Sequence, residues 1–343
     1  MTPSLSPFTP PAPRLLADIG GTNARFAWQA GPGLPLESEL TLACAEHGSL
    51  SDALLSYLQL AGRSMPPACA LAIANPVVGD RVSMTNHHWS FSLTELHAQL
   101  GLDELLVVND FTALALALPS MDPADLRQVG GRAPLPGWAI GLIGPGTGLG
   151  VSGLLPDGRG GWLPVQGEGG HATMGATTAR ERAVLEFLAI RHGHVSAERA
   201  VCGQGLVDIH KALTVMDEGA DAMIGPAPTA AEITAAALDG RSARADESLD
   251  LFCAFLGIAA GNLALTLGAK GGVYVGGGIV PRLGARFERS PFRQRFEAKG
   301  RLSAFVADIP VYVIDARSSP AFLGVANALD SQVGFAGRVR RRG

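Results

Sequence analysis

Five polar residues and two glycine turns hold the chemistry that this chain could perform. Asp110 follows the apolar run Leu105-Leu106-Val107-Val108 and Asn109. The C-terminal end of a buried strand is where open α/β sheets place reactive groups. A carboxylate there suits proton abstraction, and Asn109 beside it offers both a donor and an acceptor. Asp110 also suits the N-cap of a helix starting at Phe111, and position alone leaves both roles open. In Gly167-Glu168-Gly169-Gly170-His171 a carboxylate and an imidazole share a glycine loop. The glycines argue against a helix, and so against a His-Glu-x-x-His zinc site; the pair suits hydrogen bonds to a polyol. Glu198 lies in His194-Val195-Ser196-Ala197-Glu198-Arg199 and reads locally as an exposed helix carboxylate paired with Arg199 or a neighbour.

The turns are Gly20-Gly21-Thr22 with Asn23, and Gly146-Thr147-Gly148. An apolar strand enters each (Leu15 to Ala17; Ile140 to Ile143) and another leaves it (Phe26 to Trp28; Val151 to Leu155). This pattern predicts two β-hairpins whose tips expose backbone N–H groups. Glycine allows close approach and threonine adds a hydroxyl donor, so the pair could grip one polyphosphate from two sides. Gly148-x-Gly150-x-x-Gly153 fits the dinucleotide fingerprint as a string, but that motif must open a helix. Here Val151 to Pro156 is β-like and ends in the turn Pro156-Asp157-Gly158. Asp18, just before the first turn, suits Mg²⁺ held through water. Gly276-Gly277-Gly278 follows the strand Gly272 to Val275 and could approach a nucleotide base or ribose, or be a plain strand-to-helix turn.

The elements that must position these groups alternate. Helical spacing marks Leu50 to Ala61, a helix is expected over Thr178 to Arg191, and a loop and helix over Ser196 to Ala212. Ser92-x-x-Glu95 and Thr229-x-x-Glu232 resemble capping boxes. Strands are expected at Ala68 to Ala74, Leu105 to Val108 and Ile309 to Ile314, with a connector from Pro123 to Gly137. Pro320 to Leu329 looks helical and is expected to pack back on the first half. Hairpin, helix and strand recur in both halves, which predicts two similarly built α/β domains with a cleft between them. The expected division is 14–120 plus 320–343, a small domain with the first hairpin and Asp110, and 121–319, a large one with the second.

Composition narrows the class. Of 343 residues, 47% are hydrophobic and 17% charged, which fits a compact α/β enzyme. A net charge of −4 argues against nucleic acid as the main partner, and Arg338 with Arg340 to Arg342 reads as a short solvated tail. Cys44, Cys69, Cys202 and Cys253 are scattered without a C-x-x-C pair, so neither a zinc site nor a disulfide framework is indicated. Residues 1–13 read as a disordered Pro/Ser leader without the features of a signal peptide, so a cytoplasmic location is expected. Leu251 to Leu267 is nearly all apolar but slightly short for a membrane span, and it contains Asn262. A buried helix, with Gly257 and Gly261 allowing close packing, is expected instead.

Taken in order, these residues resemble bacterial glucokinase of the hexokinase type, within the actin-like ATPase superfamily. The resemblance rests on Asp18-Ile-Gly-Gly-Thr-Asn-Ala-Arg25, Met84-Thr-Asn-His87 with Trp89, Asn109-Asp-Phe-Thr112 and Gly146-Thr-Gly-Leu-Gly150. It continues in Gly167-Glu-Gly-Gly-His171, Gly193-His-Val-Ser-Ala-Glu-Arg199 and Gly276-Gly-Gly-Ile-Val-Pro-Arg282. It implies an α/β, two-domain actin-like ATPase (ribonuclease H-like) fold with an interdomain cleft. It also implies transfer of phosphate from ATP, with Mg²⁺, to the 6-hydroxyl of glucose, at the entry to glycolysis, by a homodimer. Asp110 would be the general base, and Asn109, Glu168, His171 and Glu198 would hold the other hydroxyls, which replaces the surface role for Glu198. Asp18, Gly20, Gly21, Thr22, Asn23, Gly146, Thr147 and Gly148 would hold the ATP phosphates, and Gly276 to Gly278 would lie near the adenosine. Gln166 stands where the family often has Pro. No Walker lysine occurs at either hairpin, so amides, threonine hydroxyls and metal must carry the phosphate charge. Rival expectations are a kinase for another hexose or one using polyphosphate, a sugar-independent actin-like ATPase, and a sugar-sensing regulator, for which the short leader leaves no DNA-binding module.

Overall fold

The computed structural model describes residues 12–84, 87–219, 227–316 and 319–341. The chain opens with β1 (Arg14–Ile19), β2 (Asn23–Gln29) and β3 (Leu36–Ala43), then α1 (Leu50–Ala61) and β4 (Ala68–Ile73). The small hairpin β5 (Arg81–Ser83) and β6 (Ser90–Ser92) leads to α2 (Leu93–Leu100), β7 (Glu104–Asn109) and α3 (Asp110–Ala117). The next stretch holds β8 (Leu126–Gln128), β9 (Ile140–Pro145), β10 (Leu149–Pro156) and β11 (Trp162–Gln166). Helices α4 (Ala179–His192), α5 (Ala197–Ala200), α6 (Gly203–Glu218), α7 (Ala230–Leu238) and α8 (Ala243–Leu267) follow. Then come β12 (Val273–Val275), α9 (Ala285–Glu288), α10 (Phe292–Glu297), α11 (Ser303–Ala307) and β13 (Val311–Ile314), and the chain closes with α12 (Ala321–Asp330) and β14 (Arg338–Arg340). These elements form two units, Met1–Met121 with Ser318–Gly343, and Asp122–Arg317.

Each unit has one six-stranded sheet, and the two sheets follow one plan. The first runs β3-β2-β1-β4-β7-β14 and the second β11-β10-β9-β12-β13-β8. In each, an antiparallel hairpin flanks three parallel strands, and an antiparallel strand closes the far edge. The parallel strands read as continuous apolar runs because both faces are covered. In the first unit, Leu15, Ala17 and Ile19 join a core with Leu54 and Tyr57 of α1 and Leu93 and Leu96 of α2. The other face carries α12 and α3, which approach so closely that a Cβ on Gly324 would overlap the Ala113 carbonyl.

Two expectations fail at the far edges. The C-terminal arginines are not a solvated tail: β14 pairs with β7, Arg338 pairs with Glu104 at 3.1 Å, and Arg340 pairs with the same carboxylate. The edge of β7 gains a three-residue ladder there, which the arginine-rich composition hides. Arg342 lies outside the described residues. The connector after Pro123 contains β8, paired antiparallel with β13. The loop and helix expected over Ser196 to Ala212 take the form of the short α5 followed by α6, which runs on to Glu218.

Helix α8 is long and apolar enough to cross a membrane by composition, yet 67% of its most apolar window is buried within the fold. Its glycines explain the packing. A Cβ on Gly261 would lie 2.5 Å from the Phe296 carbonyl, and one on Gly257 would overlap that of Phe292, so α10 rests directly on the α8 backbone. All four cysteines are free and buried.

Candidate active site

The first unit brings a charged cluster to the C-terminal ends of β1 and β7. Strand β7 carries four buried residues, Leu105 to Val108, and delivers Asn109 and Asp110 where the sheet ends. Asn109, not Asp110, caps α3: its Oδ1 accepts from the backbone N–H of Phe111 at 3.0 Å and Thr112 at 3.2 Å. The cap that Asp110 could have supplied is thereby taken, because Asn109 has the extended backbone that a cap requires. Asp110 Oδ1 accepts from Phe111 N–H and Asn109 Nδ2, each at 2.9 Å. Among the described residues no arginine, lysine or histidine pairs with it. Burial, opposed by these hydrogen bonds and reinforced by the charge of Asp18, raises its pKa to about 6. A carboxylate so placed ionises just below neutral pH and can accept a proton there.

Asp18 stands one residue before the end of β1, opposite Arg25 in the hairpin register. Its Oδ2 accepts from Arg25 at 2.9 Å and from Ser319 Oγ at 2.8 Å. Arg25 has a legible signal, since facing positions of a hairpin pair oppositely charged residues. Ser319 has none, standing 301 residues away. The turn is closed by Gly20 N–H to Asn23 O at 3.0 Å, and Cys44 N–H bonds Thr22 O at 2.9 Å. Among the described residues no cluster of three or more histidine, cysteine or acidic groups could hold an ion directly. Asp18 close to Asp110 is instead a pair of hard oxygen donors, which fits a Mg²⁺ that keeps its own waters and the phosphates of its substrate. In Met84–His87, Thr85 and Asn86 lie outside the described residues; Trp89 is buried and donates Nε1–H to the His47 carbonyl at 3.0 Å.

The second unit builds its part from backbone. The β9–β10 turn is closed by Gly146 N–H to Gly148 O at 2.8 Å, and α6 begins against it through Gly203 N–H to Gly146 O at 2.9 Å. Gly277 takes a φ of 78° and lies so close to Pro145 that a Cβ would overlap the Pro145 carbonyl. With Gly276 N–H bonded to Ile143 O at 2.9 Å, the Gly276 to Gly278 loop sits beside the turn. The loop carrying Glu168 and His171 lies on β10, where a Cβ on Gly170 would overlap the Leu149 carbonyl. Ala197 N–H to Ala172 O at 2.8 Å and Met174 N–H to Val195 O at 2.9 Å stitch this loop to the segment bearing Glu198. Glu168 and His171 are exposed, and half-buried Glu198 accepts from Leu149 N–H at 2.9 Å. Thus Glu168, His171, Glu198 and the two glycine segments belong to one constellation, and Asp18, Asn109 and Asp110 to another.

The glucokinase family profile matches residues 15–332. The chain belongs to the glucokinase family. A glucokinase of Chromobacterium violaceum is 53% identical over 314 residues, covering 92% of this chain and 88% of that relative. One of Aromatoleum aromaticum is 52% identical over 93% of this chain and 95% of its own. The crystal structure of a glucokinase from an Antarctic psychrotroph superposes with a TM-score of 0.84 at 34% identity, over 93% of this chain and 98% of the other. The fold is that of the actin-like ATPases, and the family's reaction is ATP-dependent phosphorylation of glucose.

Proposed function

We propose that this glucokinase transfers the γ-phosphoryl group of ATP to the 6-hydroxyl of D-glucose with Asp110 as the general base. The observation that carries the assignment is the Asp110 carboxylate at the end of β7, with a pKa raised to about 6 and no cation paired with it among the described residues. As the sugar O6–Pγ bond forms, the bond from Pγ to the bridging oxygen of ADP breaks and the hydroxyl proton passes to Asp110. Asn109 turns its amide toward Asp110 and orients that carboxylate. Asn109, Glu168, His171 and Glu198 hold the remaining hydroxyls.

Asp18, Gly20, Gly21, Thr22 and Asn23 hold ATP phosphates from one hairpin, and Gly146, Thr147 and Gly148 from the other; Gly276 to Gly278 lie by the adenosine. Asp18 would hold Mg²⁺ through water, and that ion, when bound, supplies neutralisation of phosphate charge. The sugar-binding groups distinguish this reading from a sugar-independent ATPase. The enzyme acts in the cytoplasm as a homodimer, which light scattering tests.

The test is a coupled assay with glucose, mannose and fructose against ATP and polyphosphate. Turnover highest with glucose and ATP is expected. Brisk ATP hydrolysis unaffected by any sugar would overturn the reading.

A further inference from the structure

Glu198 and the second glycine turn constrain each other at one oxygen. Glu198 Oε2 accepts the Leu149 N–H at 2.9 Å. The same oxygen fills the space a side chain on Gly148 would need: a Cβ there would lie 2.5 Å from Oε2 and 3.3 Å from Cδ. Gly146 stands two residues earlier in the same turn, and its Cβ position meets nothing within 4 Å. Neither glycine has a positive φ, so neither position demands glycine for backbone reasons. What singles out Gly148 is the carboxylate beside it.

We infer that Gly148 is a positioning residue for the sugar. By carrying no side chain it lets the Leu149 N–H seat the Glu198 carboxylate, so a residue of the phosphate turn sets sugar affinity. The inference rests on the sugar role of Glu198 proposed above. Leu149 extends the link: its carbonyl lies against Gly170, so the loop that bears Glu168 and His171 rests on the residue that fixes Glu198. A methyl group on Gly148 must push the carboxylate off the Leu149 N–H, because the turn's backbone has less freedom than a side chain.

The test compares Gly148→Ala with Gly146→Ala, measuring glucose Kd by calorimetry without ATP and KM for both substrates. Gly148→Ala is expected to weaken ATP-free glucose binding roughly tenfold, the scale of one misplaced half-buried acceptor. Gly146→Ala is expected to leave that Kd within about twofold, since its methyl group meets open space. In a Glu198→Ala background, Gly148→Ala should add less than about twofold, because its target is gone. An ATP-free glucose Kd unchanged by Gly148→Ala, or losses that simply multiply in the double variant, would overturn the coupling while leaving the sugar role of Glu198 standing. Unweakened glucose binding in Glu198→Ala alone would remove that role and the inference with it. Melting temperatures near that of the parent in all four variants tie the losses to the site.

Discussion

The two units share a sheet plan but use its strand ends differently. In the first, β7 ends at Asn109, followed by Asp110, which has backbone and Asn109 donors and a pKa raised to about 6. In the second, the topologically equivalent β13 ends at Ile314, followed by Asp315. Asp315 accepts from Arg127 Nε at 2.9 Å, and that guanidinium also bonds Glu288. The same position therefore gives a structural ion pair in one unit and a candidate base in the other. A strand-end carboxylate becomes a base through what is withheld from it. Burial without a cation raises the proton affinity of Asp110, whereas Arg127 ties Asp315 into an ion pair. The hairpin turns differ likewise: the first is flanked by Asp18, Arg25 and Ser319, the second by glycine backbone and α6.

The sharpest way to break this comparison is Asp110→Ala. A positioned base contributes about 10²–10⁴-fold, and a loss in kcat of that order is expected, with glucose and ATP binding still measurable by calorimetry. Near-parental kcat would end the assignment. In the parent enzyme, kcat/KM should fall as pH drops through about 6, because Asp110 then holds the proton it must accept.

Next in size is Gly170→Ala. Its methyl group must displace the loop from the Leu149 carbonyl, at a cost of about 1–3 kcal/mol in stability together with a higher KM for glucose. Gly167→Ala in the same loop, with open space at its Cβ, should change neither. Equal effects of the two would mean that the loop does not depend on contact with β10.

Asp110→Asn separates activity from stability. The carboxyl ordinarily titrates near 3.8 and here near 6. Between those values the folded state holds a proton that the unfolded chain has released, so stability falls as pH rises and levels off above 6. Removing the charge should stabilise the protein above pH 6 by up to about 3 kcal/mol, with no gain near pH 4 and below. Urea melts at pH 4 and pH 7.5 check this, and a gain independent of pH would contradict the buried charge.

The smallest effect is expected from Arg127→Ala. It strips Asp315 of its partner and should cost about 1 kcal/mol or less, since the pair is partly exposed, while kcat stays within about twofold. A large loss of turnover would show that the second strand end is catalytically engaged after all.

Much of this site was legible because its signals are local. An apolar run stopped by Asn109-Asp110 marks a strand end, and glycines flanked by strands mark the hairpins. The Asn109 cap was missed because Asn and Asp cap equally well, and only backbone dihedrals separate them. Arg338 to Arg340 was misread because composition cannot show that β7 offers an unpaired edge. Ser319 at Asp18 and Leu149 N–H at Glu198 depend on contacts far apart in the chain or made by backbone, which no side-chain pattern carries.

The return of α12 and β14 to the first sheet sets the order in which the two units can be completed during synthesis. The unit holding Asp110 lacks its last helix and its edge strand until residues 321–340 emerge, whereas Asp122–Arg317 is complete earlier. The middle of the chain can therefore fold first, while the nascent N-terminal sheet waits with an open edge beside β7 and an uncovered face where α12 will lie. Such edges invite wrong partners, so synthesis of residues 122–340 is the interval in which this sheet most needs a chaperone.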